Sequence, residues 1–268
     1  MKPADEAMSS LKEQFILRGK TMDVNLRAAL TAANVVRTID GAPTFELNFE
    51  DKQRTFINSG IIGKGVTTGI GPFTYVMVSC SKTGDSVTVT SEDQAVNVLR
   101  HKNSPLSIAP GVMTHVQFAR RLVNEVPWLK FVTDPSAVAV PSKEALTRGN
   151  PGKGSSSSDQ SDSWDTLVSN AQARRWRCFI RGADQVWYVP DAFLMAQTTA
   201  LDVQERKNGV DVIDFEYDEG QPLADLTFTC RANKWQVPPG LLVNVKNLGP
   251  ASGKWLVKEI ARSPFHND

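Results

Sequence analysis

The sequence predicts an α+β protein that is mostly β, and three observations carry that prediction. Residues 44–50 alternate apolar and polar side chains, as a strand with one buried face does. Residues 73–81 and 86–90 flank the turn sequence Lys-Thr-Gly-Asp, which is typical of a β-hairpin. Only three segments place a helix-capping signature ahead of apolar residues at helical spacing, so the helices are few.

The region from about 11 to 91 reads as one β-rich unit, a barrel or a sandwich. Further strands are predicted at 14–18 and 35–39, ahead of the three already described. The first helix follows at 93–100, because Ser91-Glu92-Asp93-Gln94 has the spacing of a capping box and apolar side chains follow on one side.

Two more helices come later in the chain. The sequence Thr114-His115-Val116-Gln117 repeats the capping signature, and Pro127 ends the helix that it opens. The third helix begins near Asp162 or Ser163 and has an apolar stripe headed by Trp164.

The last third of the chain returns to strands. Residues 177–181 and 185–189 surround Gly-Ala-Asp and predict another hairpin. Turn sequences rich in Gly, Pro and Asn separate four more predicted strands, at 210–217, 223–231, 241–246 and 255–260.

Composition excludes several classes of protein. The chain has 268 residues, 41% of them apolar, which is enough for one large or two modest domains. Its 30 basic and 29 acidic side chains give a formal charge of +1, which excludes the strongly basic surface of a dedicated nucleic-acid binder. No run of about 18 apolar residues is present, so we expect no membrane-spanning segment.

No pattern of catalytic residues stands out, and we predict no catalytic residue, no metal site and no cofactor. The three histidines lack metal-ligand spacing, and His115 lies on a helix face where a structural role is the commoner one. The three cysteines lie far apart and in predicted strands, which argues against a disulfide framework and against a papain-like peptidase. Gly152-Lys153 lacks the following Ser or Thr of a phosphate-binding loop.

Acidic side chains crowd one predicted strand. Asp214, Glu216 and Asp218 alternate, so they share one face opposite Ile213, Phe215 and Tyr217. Three interpretations stay open: a solvated strand face, the acid and base of a glycosidase, and a face lining a channel that repels nucleic acid.

Tryptophans are the other candidate functional residues. They are suited either to stacking on sugars or, more commonly, to packing in a core or a subunit interface. The candidates are Trp164, Trp176, Trp187, Trp235 and Trp255.

The order of these elements resembles the tail hub proteins of bacteriophages, the late-control-D-like and tail-associated group, which includes baseplate hubs of contractile machines. The resemblance rests on a succession of short motifs along nearly the whole chain: Phe-Glu-Leu-Asn-Phe-Glu-Asp at 45–51, the hairpin at 73–90, Ser-Glu-Asp-Gln-Ala-Val-Asn-Val-Leu-Arg at 91–100, the helix at 113–126, the segments at 162–171 and 176–189, Val-Pro-Pro-Gly-Leu-Leu-Val-Asn-Val at 237–245 and Ser-Gly-Lys-Trp-Leu-Val-Lys-Glu-Ile at 252–260.

The resemblance implies two tail-tube-like β-barrel or sandwich units with a small α/β insertion, and three protomers in a pseudo-sixfold ring. The implied divisions are a first tube-like β-barrel at 1–105, a helix and strand entering the second barrel at 106–148, a flexible Gly/Ser loop at 149–161, the α/β insertion at 162–205 and the second barrel at 206–268.

The resemblance also implies a structural, non-enzymatic role at the tail tip of the virion, after assembly in the host cytoplasm. The implied partners are further copies in a homotrimer, a distal tail or tail tube protein, a tape measure protein, tip, spike or fibre proteins, and transiting DNA that is not bound specifically. We then expect Asp214, Glu216 and Asp218 to face the channel or its rim. The alternatives are a minor tail adhesin that grips host polysaccharide, and a cell-wall hydrolase or peptidase.

Overall fold

The computed structural model describes residues 15–136, 140–148, 162–199, 201–204, 210–219, 225–230 and 238–263. Strands outweigh helices throughout these residues, and the predicted class, an α+β fold that is mostly β, is confirmed. The predicted loop at 149–161 and Trp235 lie outside the described residues.

The secondary-structure elements are numbered here in chain order. The first ten are β1 (Phe15–Leu17), β2 (Lys20–Thr21), α1 (Val24–Ala29), β3 (Leu30–Thr38), β4 (Thr44–Glu50), α2 (Thr55–Asn58), β5 (Thr67–Ile70), β6 (Phe73–Thr83), β7 (Ser86–Asp93) and α3 (Gln94–Arg100). The middle of the chain has β8 (Leu106–Ile108), α4 (His115–Asn124), β9 (Lys130–Val132), β10 (Leu146–Arg148), α5 (Ser163–Gln172), β11 (Trp176–Arg181), β12 (Gln185–Pro190) and α6 (Asp191–Met195). The last part has β13 (Leu201–Gln204), β14 (Val210–Asp218), β15 (Asp225–Cys230), β16 (Leu242–Lys246), β17 (Gly253–Leu256) and β18 (Glu259–Arg262).

The largest sheet has eight strands in the order β18-β3-β4-β7-β6-β5-β1-β2. Strand β4 shows why it forms, because Phe45, Leu47 and Phe49 are fully buried on one face while the residues between them are not. The sheet curls around this apolar face as a half-barrel.

The last strand of this sheet comes from the far end of the chain. The single strand predicted at 255–260 is two strands in the structure, because β17 pairs with β16 while β18 pairs with β3. The switch occurs at Val257 and Lys258, whose carbonyl oxygens accept hydrogen bonds from Gly240 and Ile39 respectively, each at a donor–acceptor distance of 2.8–2.9 Å. The C-terminal segment therefore joins the two β units.

The helices form a layer with a core of its own. Helices α3, α4 and α5 pack with the β11–β12 hairpin around one apolar core, in which Trp164 is only 2% exposed. The predicted capping box of α4 is present, since the Gln117 amide donates to the Thr114 hydroxyl at 3.0 Å and the Thr114 amide donates to the Gln117 side chain at 2.9 Å. None of the described helices is long and apolar enough to cross a membrane.

The second β unit is a five-stranded sheet in the order β15-β14-β13-β16-β17. Its apolar face encloses a small core formed by Val203, Val212, Val243, Val245, Leu248 and Ala251. A fourth cluster, around Ile39, Phe179, Val189 and Leu194, packs the first sheet against the β11–β12 hairpin.

Candidate functional site

The predicted acidic strand is β14, and it forms a hairpin with β15. Only the first two residues of β14 pair with β13, whereas residues from Val212 to Asp218 pair with β15. Past Val212 the hairpin is therefore a two-stranded arm, which needs support from other elements because isolated hairpins are barely stable.

A β-bulge between Val212 and Asp214 sets the direction of the side chains along β14. Strict alternation would place Val212 and Asp214 on one face, but the extra residue shifts the phase. Val212 is consequently buried in the second core, and Tyr217 packs against that core too, while Asp214 and Glu216 are exposed.

The three predicted acidic residues share the outer face of this hairpin. Asp214, Glu216 and Asp218 are all exposed, and Thr229, Thr227 and Asp225 face them across the β14–β15 pair. In the part of the chain that the structure describes, none of the three makes an ion pair. The outer face therefore carries negative charge that no described cation neutralises.

The inner face of the hairpin packs against β17. The Tyr217 ring meets the Trp255 ring edge-on with 6.0 Å between centroids, and Trp255 donates its indole N–H to the Ala251 carbonyl at 2.8 Å. Lys258 forms an ion pair with Asp225 at 3.0 Å, near the tip of the hairpin. Phe215 stays 43% exposed on this inner face.

The predicted tryptophans do not converge on one site. Trp164 lies in the helical core, Trp187 packs beside Phe179 with Arg181 stacked 4.4 Å over its ring, and Trp255 supports the acidic hairpin. They fill three different clusters, which is the packing role that the sequence analysis favoured for tryptophan. Trp235 lies outside the described residues.

A basic surface lies at the other β unit, and the sequence analysis missed it. We call it the basic rim and define it as Arg18, Lys20, Arg54 and Lys64, which are all exposed. The turn between β1 and β2 contacts the loop at 59–67, because Arg18 donates its amide to the Thr67 carbonyl at 2.8 Å and its guanidinium to the Gly60 carbonyl.

One acidic residue beside the basic rim, Asp51, is already engaged. Asp51 is buried and accepts the amides of Thr55, Phe56 and Ile57 at the start of α2, at 2.7 to 3.3 Å. In the described chain no carboxylate forms an ion pair with a residue of the basic rim. The balance of 30 basic and 29 acidic side chains hides this separation of charge, which is why composition gave no signal.

Among the described residues, the cysteines and histidines considered for catalysis are not brought together. Burial raises the pKa of the Cys178 thiol and of the Cys80 thiol, which disfavours the reactive thiolate of a peptidase. Burial lowers the pKa of His115. Its ring meets the Trp176 ring edge-on, with 4.9 Å between the centroids, so its described neighbour is an aromatic ring and not a cysteine. Among the described residues no group of three or more His, Cys, Asp or Glu side chains is arranged to hold a metal ion.

Comparison with known proteins gives no match by sequence. No protein-family model matches this chain, and no curated protein does. Solved structures, in contrast, resemble this chain in fold.

Three of the similar solved structures are tail or secretion proteins. The c3393 protein of Escherichia coli is a component of the type VI secretion system with structural similarity to the bacteriophage T4 tail proteins gp27 and gp5. It aligns with a TM-score of 0.59 and 12% identity, over 93% of this chain and 72% of that one. The 43 kDa tail protein of prophage MuSo2 from Shewanella oneidensis aligns with a TM-score of 0.59 and 11% identity, over 94% of each chain. A tail protein from Neisseria meningitidis MC58 aligns with a TM-score of 0.55 and 11% identity, over 94% of this chain and 92% of that one. The chain described here has the fold of these tail and secretion proteins.

Proposed function

We propose that this chain is a structural protein of a bacteriophage tail, and specifically the hub at the tail tip. The observation that carries the proposal is the likeness in fold to tail proteins over 93–94% of the chain, with both β units and the helical layer included. A match of that extent covers the architecture as a whole rather than one motif.

In the proposed assembly three copies form a ring, and each copy contributes its two β units to a pseudo-sixfold arrangement. The ring joins the tail tube to the tip or spike and lets DNA pass. Its neighbours are a distal tail or tail tube protein, the tape measure protein, and tip, spike or fibre proteins. The site of action is the virion tail tip, reached after assembly in the host cytoplasm.

The exposed acidic face supports the passage of DNA in this proposal. Each Lys or Arg that neutralises a phosphate adds attraction through counterion release, whereas Asp214, Glu216 and Asp218 repel a phosphate backbone. We place these residues at the channel or at its rim.

The enzyme alternatives find less support in the geometry. Asp214 and Glu216 stand side by side on the outer face of a sheet, whereas a glycosidase holds its two carboxyl groups across a sugar-binding cleft. An adhesin that stacks sugars needs open tryptophan rings, but Trp164, Trp187 and Trp255 are engaged in packing, which leaves Trp128, 43% exposed, as the exposed ring among the described tryptophans. The proposed role is therefore non-enzymatic.

The mass of the purified protein in solution tests this function. We expect a particle of three times the 29.4 kDa chain mass by light scattering, and a ring with a central hole wide enough for duplex DNA by electron microscopy. A particle that stays at the mass of one chain at every concentration, up to the highest that is soluble, would refute the ring.

A further inference from the structure

One sheet face has no partner among the elements that the structure describes. Past Val212 the β14–β15 hairpin is covered on its inner face by Trp255 and the second core, but among the described elements nothing covers its outer face. No described strand pairs with the other edge of β14 past Asp211, where its register with β13 ends. A sheet face and strand edge left open in this way are suited to contact with another molecule.

The charge on this face is the first clue to what covers it. The carboxylates of Asp214, Glu216 and Asp218 point away from the core in one row, while the nearby Asp225 is neutralised by Lys258. A partner that covers the row must present cations to it, because burying unpaired carboxylates is costly.

The same chain presents those cations elsewhere. The basic rim has four exposed basic side chains, none of them in an ion pair with a described carboxylate, and it lies at the first β unit rather than the second. Ile61 is 38% exposed and follows Gly60, whose carbonyl accepts from the Arg18 guanidinium.

Two residues of the basic rim occupy an unfavourable backbone conformation. Arg18 and Arg54 have φ angles of 50° and 56°, in the left-handed region that favours glycine. Arg175, outside the rim, has the same conformation, so backbone conformation alone does not single out the rim as an interface.

We propose that the outer face of the β14–β15 hairpin of one copy docks on the basic rim of a second copy, and that this contact closes the ring. The inference rests on the proposed ring and names the surfaces that meet in it. Two different patches on one chain make a head-to-tail interface, and such an interface closes into a ring when the rotation allows it. Ile61, beside the basic rim, adds an exposed apolar side chain, as protein interfaces do, whereas Phe215 lies on the inner face of the hairpin and takes no part in the contact.

Paired charge reversals test the contact. An acid-reversed chain carries Asp214→Lys, Glu216→Lys and Asp218→Lys, and a base-reversed chain carries Lys20→Glu, Arg54→Glu and Lys64→Glu. All six side chains are exposed, so circular dichroism and the melting temperature should match those of the unaltered chain. We expect each reversal to raise the dissociation constant of the oligomer about 100-fold, since attraction becomes repulsion at three positions.

The chain that carries all six substitutions is the decisive variant. Its charges are complementary again, so we expect it to recover the oligomer seen by light scattering. Reversal of three exposed basic residues outside the rim, Arg121→Glu, Lys143→Glu and Arg175→Glu, serves as the control and should leave the oligomer unchanged.

The outcomes separate this inference from the proposed function. If the unaltered chain forms a trimer and both reversed chains still do, the docking surfaces are wrong while the ring stands. A six-substitution chain that stays dissociated also refutes the pairing. The pairing is refuted too if the base-reversed chain loses binding to duplex DNA but still forms the same oligomer as the unaltered chain. If the unaltered chain never associates, the ring itself is wrong.

Discussion

Asp93 is a buried carboxylate at the start of α3, where its Oδ1 accepts the Ala95 amide at 2.8 Å. Burial raises its pKa to about 6 from 3.8, although the bond to Ala95 and the nearby Arg37 oppose that rise. A carboxyl group with a raised pKa in the folded state stabilises the fold most when it is protonated, below the unfolded pKa. Its contribution therefore falls as the pH rises from about 4 to about 6, and stays low above that.

The substitution Asp93→Asn tests this directly. Asparagine keeps an oxygen for the Ala95 amide but carries no charge, so we expect the variant to be more stable than the unaltered chain at pH 7, by up to about 3 kcal/mol, and equal to it at pH 4. Urea unfolding at the two pH values measures the difference. Asp23 caps α1 with the same bond to Asn25 but is exposed, so Asp23→Asn should change stability by less than about 0.5 kcal/mol at either pH.

One aromatic contact is a main support of the β14–β15 hairpin. The Tyr217 ring rests on Trp255, and this contact together with the pairing to β13 and the ion pair to Lys258 supports the arm. We expect Trp255→Ala to raise amide hydrogen exchange in β14 and β15 about 30-fold, through loss of buried aromatic area, while β3, β4 and β7 keep their protection.

A second tryptophan provides the control for that measurement. Trp187 packs in a different cluster, beside Phe179 and Phe193. Trp187→Ala should therefore leave exchange in β14 and β15 at its original rate. Equal loss of protection in the hairpin from both substitutions would show that Trp255 has no local role.

Local patterns predicted the elements whose residues repeat clearly. The strand at 44–50 and the helix opened by Thr114 appear in the structure at the predicted places, because alternation and capping are properties of the segment itself. The strands β8, β9 and β10 were missed because each has three residues, which is too short for a repeat. The basic rim was missed because its residues come from two separate segments and meet only after folding.

The acidic face was predicted from strict alternation along the strand, and the structure adds a β-bulge to that alternation. Alternation placed Asp214, Glu216 and Asp218 together, and they do lie together on the exposed face. The bulge beside Val212, which aims that face outward relative to the core, depends on pairing with β15 and has no signature in the segment alone. Whether the face lines a channel stays a prediction.

At the scale of the whole molecule, β18 holds the two β units together. Its register with β3 runs from Glu259 opposite Thr38 to Arg262 opposite Val35, which covers four pairs at the edge of the large sheet. We expect removal of residues 259–268 to lower the melting temperature by on the order of 10 °C, because these ladder hydrogen bonds are lost and β3 becomes an open edge.

Separate probes of the two units sharpen that test. Because β3 and β4 form part of the apolar core of the large sheet, loss of β18 should weaken the first unit more than the five-stranded sheet, as hydrogen exchange would show. Unchanged melting, or a loss of protection confined to β16 and β17, would contradict this role of β18.

The position of β18 also sets an order of events during synthesis. A ribosome delivers β3 early, yet the strand that covers its outer edge arrives only with residues 259–262, more than two hundred residues later. Until then the growing chain exposes an unpaired strand edge, which is prone to pairing with the wrong chain. Folding of the large sheet is thus completed only after residues 259–262 have been made, so every surface that depends on the finished sheet forms late in the synthesis of these residues.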